Sequence, residues 1–242
     1  MQMRIVILSL QTADAKTMAG PAEKLRELGI EPDVYAINSD DADDDILVYQ
    51  ELVRRTRLAD LVYLRCMSDT NRFKRYDKYE KVLEECKGYV LVFSGNAEVT
   101  MMKRALFKGS DEEFAQVSRY AASRGPENDL GMMKWFARRL GLSDADPPEP
   151  VEQRREGYYH KGMDREISRD DYLKTLDPEK MTVGILFASS LWIYDNLEAV
   201  DALVEAIERR GMNALPVFYS ATSYKRDGEP GTKETFETYF TD

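Results

Sequence analysis

Met3-Arg4-Ile5-Val6-Ile7-Leu8 decides the fold. Beyond Arg4 the run is unbroken and β-branched, which suits a strand covered on both faces rather than one with a wet face. A helical spacing follows in Met18, Ala22, Leu25 and Leu28, and Gly29 supplies the stop. Pro32 to Ile37 then reads as a second strand. Strand, helix and strand in that order predict a parallel pair joined by a right-handed crossover.

The alternation continues downstream. Residues 43–58 are predicted helical through Ile46, Leu47, Leu52, Val53 and Leu58, and Leu61 to Arg65 is the third strand. A helix over 76–86 leads through Gly88 into a fourth, Tyr89 to Phe93. Residues 96–141 turn helical in three short pieces separated at Gly109-Ser110 and Gly125-Pro126, a block expected to cover one sheet edge. The acidic, proline-rich stretch 144–150 reads as an extended connector. A fifth strand (182–187), a helix (197–210), a sixth strand (214–218) and a helix (232–240) follow.

The fold class read from this order is α/β, with Rossmann-like parallel-sheet units in two lobes, a helical insertion, and an incomplete second α/β lobe. Residues 1–142 form the first domain with its helical block, 143–180 the connector, and 181–242 the start of a second domain. The sequence stops where a parallel sheet needs its next strand, so it reads as truncated.

Composition narrows function. A formal net charge of -10 over 242 residues argues against a nucleic-acid partner. The basic stretch Arg72-Phe73-Lys74-Arg75-Tyr76 reads as a helix entrance, with a phosphate or carboxylate contact as the alternative. Two cysteines, Cys66 and Cys86, are too few for a disulfide framework and fit reduced thiols in a cytoplasmic protein. The first apolar run is too short for an export signal or a membrane span.

In open parallel sheets ligands sit beyond the carboxyl ends of the strands. Those ends carry Ser9 and Gln11, then Ser94, Asn96 and Glu98, then Ser189 and Ser190. Helix capping is the preferred reading of such residues, and ligand contact the alternative. Gly157 to Gly162 has phosphate-loop spacing, but Met163-Asp164 follows where a lysine and a hydroxyl residue are required. His160, the only histidine, reads first as a structural residue; between tyrosines and a lysine, holding a carboxylate or a metal ion is the alternative. The acidic run Asp40 to Asp45 reads as a helix entrance, and the pairs Met101-Met102 and Met132-Met133 as core filler.

A resemblance adds to this reading. Val183-Gly184-Ile185-Leu186-Phe187, Ser190, Trp192, Asn196, the helix Val200 to Glu208, Gly211, Asn213 and Pro216-Val217-Phe218 resemble the cobaltochelatase CobN and magnesium-chelatase H-subunit family. Gly125-Pro126-Glu127-Asn128 and Gly157-Tyr158-Tyr159-His160 resemble segments that precede that block. The sequence departs at Lys161, where proline is common, at Leu191, where an aromatic or histidine is usual, and at Asp195, where glycine is usual.

The resemblance implies a very large ligase-class subunit that binds a tetrapyrrole and inserts Co²⁺ or Mg²⁺ in cobalamin-type biosynthesis. ATP with Mg²⁺ is then hydrolysed on separate AAA+ chelatase subunits. The metal-inserting residues are expected outside this stretch, which is expected to be inactive alone and to bind no cofactor tightly. Holding a planar, carboxylate-bearing macrocycle calls for aromatic walls and general bases. The candidates are Tyr158, Tyr159, His160 and Trp192, joined by Ser190, Asn196 and Asn96. The rival readings are a non-catalytic flavodoxin-like or periplasmic-binding-like regulatory module, and a scaffold whose helical block docks partners.

Overall fold

The structure is a computed structural model that describes residues 1–10, 14–220 and 231–240. The chain forms two compact units, 1–152 and 153–242.

The first unit is built on a four-stranded parallel sheet. Its strands are β1 (Gln2–Ser9), β2 (Glu31–Asn38), β3 (Leu61–Cys66) and β4 (Tyr89–Ser94), in the order β2-β1-β3-β4. Between β1 and β2 the chain makes α1 (Asp14–Ala19) and then a 3-10 helix, Gly20–Leu28. Pro21 at the start of the second piece withholds an N–H that a continuous α-helix would use. Gly29 closes it in the left-handed region (φ 72°), where its N–H donates to the Arg26 carbonyl at 2.9 Å.

The helix predicted over 43–58 is two helices, α2 (Ser39–Asp44) and α3 (Ile46–Leu58). Asp45 breaks them with extended backbone and caps α3 by accepting from the Leu47 N–H at 2.7 Å. The acidic and basic runs, read separately in sequence, meet here. Arg72 pairs with Asp40 at 3.0 Å, while Asp43 accepts from the Lys74 N–H at 2.9 Å. The Arg72 and Arg75 cations of the stretch thus pair with Asp40 and Asp43 of their own unit.

Each face of the sheet has its own core. α3 and α4 (Tyr76–Glu85) pack with Val6, Leu8, Val62, Leu64, Val90 and Val92 on one face. On the other, Ile5, Ile7, Tyr63 and Leu91 meet α1, the 3-10 helix, α6 (Asp111–Ser123) and α7 (Pro126–Arg139). The helical block therefore covers a face rather than an edge. Both crossovers into β3 and β4 lie on the first face, leaving their opposite side chains for α6 and α7 to bury. Met132 and Met133 are buried as expected; Met101 and Met102 are 61% and 64% exposed, a correction to their reading as core. They end the six-residue α5 (Ala97–Met102), whose inward positions are taken by Val99 and Thr100.

Residues 143–155 carry no regular structure. Within the first unit, the Tyr120 phenol donates to the Pro148 carbonyl, and Asn128 exchanges hydrogen bonds with the Val151 backbone at 2.8 Å.

The second unit holds β5 (Gly157–Tyr158), α8 (Arg169–Leu173), β6 (Thr182–Ala188), α9 (Ser189–Ile193), α10 (Glu198–Glu208), β7 (Asn213–Tyr219) and α11 (Thr232–Phe240). Its sheet runs β5-β7-β6, with β6 and β7 parallel and β5 antiparallel to β7. Residues 153–180, placed by sequence in the connector, belong to this unit because Tyr158 and Tyr172 are core residues stacked at 5.0 Å. Among the described residues no helix is long and apolar enough to cross a membrane.

Candidate functional site

The strand ends of the first unit are polar, and that of β4 is hydrogen-bonded within its own turn. Ser94 Oγ donates to the Ser68 carbonyl at 2.9 Å and accepts from the Asn96 N–H at 3.0 Å. Asn96 caps α5, its Oδ1 accepting from the Glu98 N–H at 3.0 Å. Capping thus accounts for Asn96, which belongs to the first unit, whereas the other candidates belong to the second. Gln11 lies outside the described residues.

A second feature of these strand ends went unread in the sequence. Arg65 is 2% exposed and pairs in register with the buried Ser9. Two residues earlier on the same strand face, burial pushes the Tyr63 phenol up to about 12, against the neighbouring Arg65 cation and with help from Asp129 on α7. The available signal was a charge at the end of an otherwise apolar run.

In the second unit the alternation of an extended chain sends Tyr158 and Tyr159 to opposite faces. Tyr158 enters the core with Tyr172, Leu215 and Val217, and Tyr159 packs on the α10 side with Phe187. The Tyr159 phenol donates to Asp201 Oδ1 at 2.7 Å. Burial and that carboxylate hold the phenol well above its usual range. His160 Nε2 lies 2.7 Å from Glu208 Oε1, and Lys161 Nζ lies 3.8 Å from Asp201 and 3.7 Å from Glu205. Asp201, Glu205 and Glu208 share one α10 face by their spacing, so residues 159–161 lie along a stripe of carboxylates. His160 pairs with a carboxylate of the chain itself, which is what a structural histidine does.

Trp192 is 5% exposed and stacks on Phe218, with centroids 4.3 Å apart and planes 9° from parallel. The Arg165 guanidinium carbon lies 4.6 Å from the indole centroid. Arg165 also donates to the Trp192 carbonyl at 2.5 Å and to Asp195 at 3.1 Å. This cation joins the segment after β5 to the α9–α10 loop, and nothing in the local sequence marks it. Asp195, where the resemblance sets glycine, has φ 55°, the left-handed conformation that favours glycine. Ser190 is partly exposed at the start of α9, and Asn196 is exposed in the loop. Tyr159, Trp192, Ser190 and Asn196 therefore belong to the α9–α10 side of this unit and Tyr158 to the opposite face, while His160 reaches both Glu208 on α10 and the Tyr172 ring, 6.4 Å away. Among the described residues no group of three or more His, Cys, Asp or Glu side chains could hold a metal ion.

Two small open-sheet units, with an arginine-topped indole and exposed polar groups beside one strand end, define an α/β protein of the doubly wound kind. The sequence model of the CobN/Magnesium Chelatase family matches residues 118–242, and the chain belongs to that family. It is 28% identical over 197 residues to an uncharacterized protein of Methanocaldococcus jannaschii, a match covering 79% of this chain and 16% of that protein. It is 30% identical over 135 residues to the magnesium-chelatase H-subunit of Cereibacter sphaeroides, covering 55% of this chain and 10% of that one. The catalytic subunit of cobaltochelatase from Mycobacterium tuberculosis shares the fold at a TM-score of 0.52 and 16% identity, over 90% of this chain and 16% of that chain. The chain thus corresponds to a small part of each relative's length.

Proposed function

We propose that this chain provides part of the tetrapyrrole-holding surface of a metal chelatase large subunit that inserts cobalt or magnesium. The observation that carries the reading is the family match over residues 118–242, which spans the whole second unit. ATP hydrolysis belongs in this reading to AAA+ partner subunits, and the metal ion is cargo rather than a resident group. On this chain the work is binding and orientation.

The exposed polar groups of the second unit suit a planar macrocycle with carboxylate side chains. Arg165 offers a guanidinium to a carboxylate, which would take the place of Asp195. Ser190 and Asn196 offer hydrogen bonds, and His160 a group able to accept a proton or bind an anion. Tyr158, Tyr159 and Trp192 support them from within the core, and Trp192 stacks on a macrocycle only where Arg165 moves aside.

Alanine variants at Arg165, His160, Ser190 and Asn196 test this. Each is expected to weaken binding of a porphyrin-type or cobyrinic-type tetrapyrrole, Arg165→Ala by about tenfold for a lost charge-assisted contact. Unchanged affinity in all four would remove the second unit from the macrocycle site.

A further inference from the structure

The sheet of the first unit changes direction at β1. From β1 the chain crosses through α1 to β2 on one side, while β3 takes the other side of β1 and leads through α4 to β4. α1 and α4 lie on opposite faces, so the carboxyl ends of β1 and β3 form the switch point, where open parallel sheets hold their ligands.

Ser9 and Arg65 end these two strands as in-register neighbours, both buried. By the period of two, Ser9 follows Ile5 and Ile7, and Arg65 follows Tyr63, onto the face covered by α1 and α7. Arg65 Nη1 accordingly lies 3.9 Å from Met18 Sδ on α1. Asp129, in the first turn of α7 and 1% exposed, brings a carboxylate to the same cluster.

Two features here cost the fold stability without serving it. Tyr63 is buried, and its hydroxyl has no partner at hydrogen-bonding distance among the described residues. Phenylalanine would fill the same space without that cost. Arg124, in the turn between α6 and α7, has φ 58° and ψ 175°, a backbone region open to glycine and strained for other residues. Asn128 Nδ2 clamps its carbonyl at 2.6 Å. Glycine would make this turn unstrained, yet an arginine stands there, and its cation acts on the Tyr63 phenol together with that of Arg65. Arg124 is half-buried, so the cluster reaches solvent at this turn.

Guanidinium groups and a phenol hydroxyl are donors, and together they suit an oxyanion. Asp129 limits its charge, because a neighbouring carboxylate repels a phosphate more than a singly charged group. We propose that the switch point of the first unit binds the carboxylate of a small-molecule ligand, received by Arg65, Arg124 and the Tyr63 hydroxyl. The site belongs to the first unit, and the inference is independent of macrocycle binding.

The test is a titration of the 242-residue chain with sodium acetate, followed by NMR at the arginine Nε–H groups. Sodium chloride at equal ionic strength is the control, and inorganic phosphate the competing anion. Acetate is expected to shift the Arg65 resonance saturably. Tyr63→Phe and Arg124→Gly are each expected to weaken acetate binding by roughly tenfold. Without acetate, urea denaturation should find both variants at least as stable as the unaltered chain, since one loses an unpartnered hydroxyl and the other a strained turn. A cluster that serves only the fold gives the opposite result. A shift no larger than chloride produces, tighter binding of phosphate than of acetate, acetate affinity unchanged in both variants, or a loss of stability in either overturns the proposal.

Discussion

The phenol of Tyr159 donates to Oδ1 of Asp201 at 2.7 Å, fastening the residue that follows β5 to helix α10. The carboxylate is largely buried, so the bond is charge-assisted and shielded from water. Tyr159→Phe is expected to destabilise the second unit by roughly 1 to 2 kcal/mol. A double-mutant cycle with Asp201→Asn in urea checks it, and a coupling near zero would contradict the fastening role. The phenol's raised pKa adds a pH dependence of definite sign. Its contribution is complete below the unfolded value of about 10 and is lost as pH rises through the higher folded value.

Gly184 in β6 admits α11 close to the sheet. A Cβ built there meets the Phe240 ring at 2.5 Å, nearer than side chains pack. Gly184→Ala is expected to cost roughly 1 to 3 kcal/mol through overpacking. Combining it with Phe240→Ala should cost less than the sum of the two single changes. Chemical denaturation measures this, and strict additivity would show that the ring does not rest on Gly184.

In the first unit, Asp60 accepts from the Arg4 N–H at 2.8 Å, from Nε at 3.1 Å and from a terminal guanidinium nitrogen at 2.7 Å. Burial pushes its carboxyl up, but the Arg4 hydrogen bonds outweigh that and hold it below its usual value. The sign follows: Asp60 stabilises above the unfolded pKa of about 3.9 and ceases to as pH falls through the lower folded value. Asp60→Asn is expected to cost about 1 kcal/mol at neutral pH, modest because Arg4 is half exposed, and to flatten the acid limb of the stability curve. A carboxyl resonance for Asp60 titrating above 4 would contradict this.

Much of the fold was legible because the long strands are continuous apolar runs that need burial on both faces. Met3 to Leu8 and Leu61 to Arg65 can be little else. β5 was not legible: two residues carry no period, and its partner is set by Pro216 some sixty positions away. The break at Asp45 hid inside a run of aspartates that all favour a helix start. The site was read less well. His160, Trp192 and the tyrosines stood out as residue types, but only the fold shows that Trp192 is spent on Phe218 and Tyr158 on Tyr172. Arg165 lies in a loop without periodicity, so its place over the indole follows from tertiary structure alone.

Macrocycle binding is the central claim, and its most direct measurement is an absorbance titration of this chain with porphyrin-type and cobyrinic-type tetrapyrroles, followed in parallel by tryptophan quenching. Trp192→Phe separates the signal of the second unit from that of Trp135 in the first. Saturable binding, weakened in Arg165→Ala and in His160→Ala, is the expected result. A chain that leaves both kinds of tetrapyrrole spectrum and its own fluorescence unchanged would contradict the claim.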